Sequence, residues 1–189
     1  GQLAAGISHE VRNPITAVRG FIQMLSGRKD LTNIKDYFNI MIEEIDRANA
    51  IVTEFLTLSK NKSLDLRKNN INIQAGAFND DKDVQLEMAD VPHICMDESE
   101  IRQLILNLTR NAIEASPSGG KVTVSTYLEG EEVVLAIKDQ GKGMDYETMG
   151  KLGTPFFTTK VDGTGMGLVI CYRIAKRHNA KIMIDTGDR

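Results

Sequence analysis

The sequence predicts an α-helical hairpin that dimerises into a four-helix bundle, followed by an α/β sandwich domain. Three observations carry that prediction. Apolar residues recur at helical spacing through the first 66 residues, the texture turns to short alternating segments after Leu66, and five glycines gather in two late clusters.

Composition sets the outer limits. The chain has 189 residues, 41% hydrophobic and 26% charged, as in ordinary globular proteins, which suffices for one to two compact domains. No apolar run approaches the roughly 18 residues of a membrane span, and no signal-peptide pattern opens the chain. The net charge of −3 gives no support to nucleic-acid binding through bulk positive charge, so no nucleic-acid partner is expected. Cys95 and Cys171 stand far apart, which argues against a disulfide scaffold or cysteine zinc site and for a reducing cytoplasm.

The first stripe is Leu3, Ile7, Val11, Val18, Ile22 and Leu25, in steps of three, four or seven. Gly27, Arg28, Lys29 and Asp30 interrupt it. Tyr37, Met41, Ile45, Ala48, Val52, Phe55 and Leu58 form a second stripe with coiled-coil-like spacing. Two such helices with a short connection predict an antiparallel hairpin. A lone hairpin buries one face of each helix, so pairing two hairpins into a homodimer is expected.

The second region reads differently. Lys121–Leu128, a turn at Glu129–Gly130, and Glu132–Asp139 predict a β-hairpin. Asp97 to Glu100 match a capping box, continued as a helix by Ile101, Leu104, Ile105, Leu108 and Ile113. Gly167 to Arg177 predicts another helix and Lys181 to Asp185 a strand. Mixed helices and strands with one antiparallel pair imply the sandwich. The boundary is placed at 63/64, giving domains 1–63 and 64–189.

His9 lies two positions from both Ile7 and Val11 and so is expected to face solvent. Pro14 cannot donate to the carbonyl of Glu10, which predicts a bend beside the imidazole. A surface histidine on a kinked helix satisfies this pattern. So does a nucleophile, because neutral imidazole is available at neutral pH and adjacent Glu10 can accept its ring proton.

The glycine clusters are Asp139-Gln-Gly141-Lys-Gly143, ending an apolar strand, and Gly163-Thr164-Gly165-Met-Gly167, opening a helix. They serve either as turns or as a phosphate cradle, since glycine permits close backbone approach and a helix N-terminus offers N–H groups. Neither matches the dinucleotide fingerprint, and no G-x-x-x-x-G-K-[ST] string exists. Asp139 after the run Val133 to Ile137 is either a turn cap or an acceptor for an exocyclic amine such as N6 of adenine. Asn107 and Asn111, four apart, share a helix face. They are surface polarity, or two amide oxygens able to meet Mg²⁺ and phosphate.

Taken together, His9-Glu10-Val-Arg-Asn13-Pro14, Asn107-x-x-x-Asn111, Asp139-x-Gly141-x-Gly143, Phe156-Phe157 and Gly163-x-Gly165-x-Gly167 occur in one order over nearly the whole chain. This resembles the transmitter core of sensor histidine kinases, with its H, N, G1, F and G2 boxes. In wording it is most similar to the sporulation-type kinases of Gram-positive bacteria that feed a phosphorelay.

The resemblance implies a Bergerat-type ATP-binding fold in the second domain. It implies His9 as phosphoacceptor, Glu10 as general base, and Asn13 at the position associated with phosphatase activity toward the regulator. Asn111 would hold Mg²⁺, Asn107 would support the phosphates of ATP, and Asp139 would bind adenine in a pocket shaped by Gly141 and Gly143. Phe156 and Phe157 would hinge a lid over 158–164. Lys160 would contact phosphate, and Gly163, Thr164, Gly165 and Gly167 would close over the triphosphate. The related ATPases carry a glutamate where Asn107 stands, so slow hydrolysis is expected, with the γ-phosphate left for His9.

The implied partners are a second copy, the receiver domain of a response regulator, and an inhibitory protein on the hairpin. Against the family, the span from Ile73 to Val84 is short and a final strand is wanting after Arg189. The chain is therefore expected to be a cytoplasmic fragment without its sensor, and the full-length protein to be anchored through such a region. Two other classes fit some of the motifs: an ATP-binding helical scaffold without transfer, and a Bergerat-type ATPase. Elsewhere, His93 is expected on a strand surface and His178 as a helix-end cation.

Overall fold

The computed structural model describes residues 2–26, 34–59, 63–78, 83–160 and 163–186, without the side chains of 2–10, 26 and 57–59. It divides into two compact units. One is Gly1–Asn61 with Gly153–Met166; the other is Lys62–Leu152 with Gly167–Arg189.

In the first unit, α1 (Gln2–Ser26) and α2 (Ile34–Ser59) pack against each other as the stripes predict. Met41, Ala48 and Ile51 are buried along the seam, and Phe21 meets Tyr37 with ring centroids 6.1 Å apart. The second stripe splits. Phe38, Ile42, Ile45, Val52 and Leu56 advance by four, three, seven and four along α2 and remain exposed, as do Ile15 and Ile22 on α1. One helix partner is too few for stripes this wide. Among the described residues no helix is long and apolar enough to cross a membrane.

The second unit opens with β1 (Arg67–Asn69), the short helix α3 (Ile71–Ala75) and a 3₁₀ turn at Gly76–Phe78. One helical turn is what the abbreviated span before Val84 can hold. Then come β2 (Val84–Met88), β3 (Ile94–Met96), α4 (Glu98–Ala115), β4 (Val122–Glu129), β5 (Glu132–Lys138), α5 (Tyr146–Lys151) and α6 (Gly167–Arg177). β2 pairs parallel with β4, Val84 opposite Val122, and β4 pairs antiparallel with β5, Thr123 opposite Lys138. β1 and β3 form a separate antiparallel pair.

Alternation along β4 buries Val122, Val124 and Thr126. α4 packs on β4 and on α6, burying Ile101, Leu104, Ile105 and Ala112 together with Ile170, Cys171, Ile174 and Ala175. This is the expected α/β sandwich.

Two details differ from expectation. Glu129 pairs with Glu132, so the hairpin loop is Gly130–Glu131 and not Glu129–Gly130. Gly130 has φ 61°, and glycine first in a two-residue loop is the choice of a II′ turn, whose twist matches that of the strands. Residues 181–186 keep the in–out alternation of a strand but pair with no ladder among the described residues. Side-chain pattern alone does not make a strand; the hydrogen-bonding neighbour does.

Candidate functional site

The hairpin carries the first part. His9 and Glu10 lie in the helical backbone of α1, and the expected outward direction of the His9 side chain falls outside the described residues. One turn on, Asn13 is exposed and Pro14 buried, lining a cleft of about 280 Å³ with Ala17, Glu44 and Arg47. Pro14 has no N–H for the Glu10 carbonyl. Just beyond it the Thr16 hydroxyl donates to the Arg12 carbonyl at 2.7 Å. Glu44 and Arg47 belong to none of the sequence motifs; their spacing of three on α2 is the signal that puts them on one face.

The segment Gly153–Met166 is a succession of turns. The Phe157 N–H donates to the Thr154 carbonyl, the Lys160 N–H to the Thr158 hydroxyl, and the Gly163 N–H to the Lys160 carbonyl. Phe156 sits at φ 67°, a conformation that costs a non-glycine residue about 1–3 kcal/mol. Its backbone lies so close to Gly165, itself at φ 68°, that a Cβ there would collide with the Phe156 main chain. The diphenylalanine and the middle glycine are thus two sides of one contact. Thr164 accepts from the Met166 N–H, and the Met166 side chain is buried. Residues 161–162 of the expected lid are outside the described residues.

The second unit supplies the rest. Asn107 and Asn111 lie one turn apart on α4, the first half-buried, the second exposed. Asn107 Nδ2 donates to the Gly167 carbonyl at 3.3 Å, joining α4 to the start of α6 and leaving the amide oxygen as acceptor. The first N–H groups of α6 have no partner within the helix, as at any helix start. Between them, burial pushes the Cys171 thiol up to about 12, against the opposing pull of Asn107, so it is inert packing.

The loop after β5 is moored to the end of α4. The Gln140 N–H reaches the Ser116 hydroxyl, and a Cβ on Gly141 would lie 2.8 Å from the Ala115 carbonyl oxygen. Only glycine permits that approach. Gly143 is at φ 72°, and the following Met144 N–H donates to the Thr186 hydroxyl.

Asp139 takes the first of its two expected roles. Its residue is exposed, because the edge strand β5 is only half-buried, and Oδ1 accepts the Gly141 N–H at 2.8 Å. The turn cap is therefore real. A carboxylate has further acceptor positions, so the cap leaves capacity for an exocyclic amine.

The structure brings Asn107 to Gly167, the end of α4 to the Asp139–Gly143 loop, and Phe156 to Gly165. No group of three or more His, Cys, Asp and Glu able to hold a metal occurs among the described residues. The donor set that fits Mg²⁺ is instead the neutral amide face of α4, which complements phosphate oxygens without adding negative charge. His93 is exposed just before β3.

The class defined is a nucleotide-type α/β unit joined to a helical hairpin, and known proteins show the same pair. Residues 1–64 match the His Kinase A (phospho-acceptor) domain, and residues 96–189 match the histidine kinase-, DNA gyrase B-, and HSP90-like ATPase family. Sporulation kinase E of Bacillus subtilis is 37% identical over 98% of this chain and 27% of its own length. Sporulation kinase C of the same organism is 36% identical over 98% of this chain and 45% of its own. The chain thus spans less than half of either relative.

Among solved structures, histidine kinase ThkA in complex with the response regulator TrrA is similar at a TM-score of 0.75. Identity is 29%, covering 95% of this chain and 55% of that one. The Acinetobacter baumannii histidine kinase AdeS gives 0.67 at 25% identity, covering 89% of this chain and 86% of its own. The chain belongs to the sensor histidine kinases and carries the transmitter core of that family.

Proposed function

We propose that this chain is an ATP-dependent protein-histidine kinase that phosphorylates itself on His9 and passes the phosphoryl group to an aspartate of a response regulator. One observation carries the reading. The amide face of α4, the Asp139–Gly143 loop and the start of α6 are tied together, in a chain whose first 64 residues match a phospho-acceptor domain.

Residues 1–63 act as the dimerising phosphotransfer hairpin and 64–189 as the ATP-binding domain. A ring nitrogen of His9 attacks the γ-phosphorus, the bond to the β-phosphate oxygen breaks, and ADP leaves. Glu10 accepts the proton from the other ring nitrogen. Asn111 would hold Mg²⁺, which would neutralise phosphate charge; Asn107 and Lys160 would contact the phosphates, and Asp139 would receive the adenine amine. Gly141 and Gly143 shape the base pocket. Phe157, Gly163, Thr164, Gly165 and Gly167 shape the phosphate end. The rate comes from positioning and charge neutralisation. Asn107, an amide engaged with Gly167, is a poor base for activating water, which favours transfer over hydrolysis.

The bare apolar stripe of the hairpin supports a homodimer, and the cleft at Asn13 supports docking of a receiver domain there. Asn13 then assists dephosphorylation of that regulator, within a two-component system or phosphorelay. An inhibitory protein would act on the same helices. This part lies in the cytoplasm, with any membrane anchor in a sensor region outside this chain.

The test is to incubate the chain with Mg²⁺ and γ-labelled ATP, then add receiver domains one at a time. The label is expected on the chain first and then on one receiver. Label appearing only as inorganic phosphate, never on the chain, would establish the ATPase reading instead.

A further inference from the structure

The capping box expected at Asp97 to Glu100 is only half made. Asp97 accepts from the backbone N–H of Ser99 at 3.0 Å and of Glu100 at 3.2 Å, and from the Ser99 hydroxyl at 2.6 Å. In a full box the Glu100 side chain would return to the Asp97 N–H. Here Glu100 turns to α6 and receives both Nε and Nη2 of Arg177, at 3.2 and 3.1 Å. The Asp97 N–H donates instead to Nε2 of His178 at 3.0 Å.

His178 is built for this. Its side chain is 4% exposed, and its Nδ1 lies 2.8 Å from the Ile174 carbonyl, which takes the Nδ1 proton and leaves Nε2 as acceptor. The expected helix-end cation is therefore a neutral acceptor. It ends α6 in a Schellman motif: Asn179 is at φ 52°, and the Ala180 N–H returns to the Ala175 carbonyl. The charged groups around it are Asp97 and Glu100 of the α4 start and Arg177 of its own helix, with Asp65 reaching Asp97 through its N–H.

α4 and α6 run antiparallel, and α6 is tied at both its ends, to the start and to the middle of α4. Ten residues along α4 from Asp97, about 15 Å by helical rise, Asn107 holds the Gly167 carbonyl. Buried Cys171 and Leu104 fill the middle. Sliding α6 by one residue at the His178 end would carry Gly167 away from Asn107 at the other.

We propose that His178 is a positioning residue of the nucleotide site: by capping α4 from α6 it sets the register that places Gly167 against Asn107. This rests on the reading that α4 and the start of α6 hold Mg²⁺-ATP. Without the latch, only part of the population keeps the binding register, and apparent affinity falls by that fraction.

The experiment measures the dissociation constant of a non-hydrolysable ATP analogue with Mg²⁺, well below each variant's melting temperature. His178→Ala is expected to bind about ten-fold more weakly, as a latched fraction near one tenth requires. His178→Gln, whose amide oxygen can accept the Asp97 N–H, is expected to stay near wild type. Wild-type affinity in His178→Ala, even with lowered stability, or equal loss in both variants, would overturn the proposal.

If His178→Ala does not fold, the wild-type chain answers. Coupling is reciprocal, so the Asp97 amide must exchange with solvent more slowly when the analogue is bound, and an unchanged rate contradicts the latch. A wild-type chain that binds no analogue refutes the nucleotide site itself, a different outcome from either.

Discussion

The hairpin and the α/β unit handle apolar surface in opposite ways. In the α/β unit the inward residues of β4, α4 and α6 are matched and nearly all buried. On the hairpin Met41, Ala48 and Ile51 are buried while Ile42 and Ile45, between them along α2, are 57% and 49% exposed. An apolar stripe wider than one neighbour can cover marks a surface shared with another molecule. Coiled-coil spacing along it suits a second copy of the same hairpin. The α/β unit is finished by internal ties; the hairpin, on the proposed reading, is finished by association with a second copy.

The largest effect should come from that bare stripe. Ile45→Asp places an unpaired carboxylate in the dimer seam, at about 3 kcal/mol or more per copy, counted twice by two-fold symmetry. Sedimentation is expected to show monomers, with nucleotide affinity of the α/β unit unchanged. A variant that stays dimeric would mean the stripe faces something else.

Next comes the amide face of α4. Asn111→Ala should weaken Mg²⁺-dependent binding of an ATP analogue by about 10–100-fold, the worth of a hydrogen bond or ligand contact to a charged group. Titration calorimetry with and without Mg²⁺ checks this. The expected loss is confined to the Mg²⁺-dependent part, and the dimer is untouched.

A smaller effect separates the units by acid. Burial alone pushes the Asp97 carboxyl up, but the Ser99 hydroxyl and the N–H groups of Asp65, Glu100 and Ser99 outweigh it and hold the pKa at about 2. The folded value is depressed, so the stabilisation is complete above the unfolded value of 3.8 and is lost as pH falls toward 2. About 2 kcal/mol should disappear from the α/β unit over that range. Urea unfolding from pH 6 to 2 is expected to show the loss in wild type and a flatter acid limb in Asp97→Asn.

The smallest effect is chemical. Cys95 is exposed and should alkylate in the native chain, whereas Cys171, buried with its thiol at about 12, should react only after unfolding. Mass spectrometry after brief iodoacetamide treatment reads both. Native labelling of Cys171 would show that α4 and α6 separate readily.

What was legible in the sequence was what is local. Helical stripes, the Asp97 cap, both strands of the β4–β5 pair and the order of the glycine clusters all depend on neighbours within a few residues. The rest depends on distant partners. Glu100 could not be seen to leave its own cap for Arg177, 77 positions away, nor His178 to replace it. Gly165 read as a phosphate glycine, but its contact with Phe156 is set by tertiary packing. Lys181 to Asp185 had a strand's alternation without a ladder partner, and Asp139 followed an apolar run that turned out to be an edge strand. The candidate site was legible in its residue types and less so in its joints.

On the proposed function the hairpin receives phosphate from ATP bound by the other unit. The direct measurement is incubation of the chain with Mg²⁺ and γ-labelled ATP, followed by location of the label. A phosphoryl group on nitrogen, lost in acid, kept in base and absent from His9→Gln, is the predicted result. An ATP-binding wild-type chain that takes up no label, or a His9→Gln variant labelled as strongly as wild type, would contradict it.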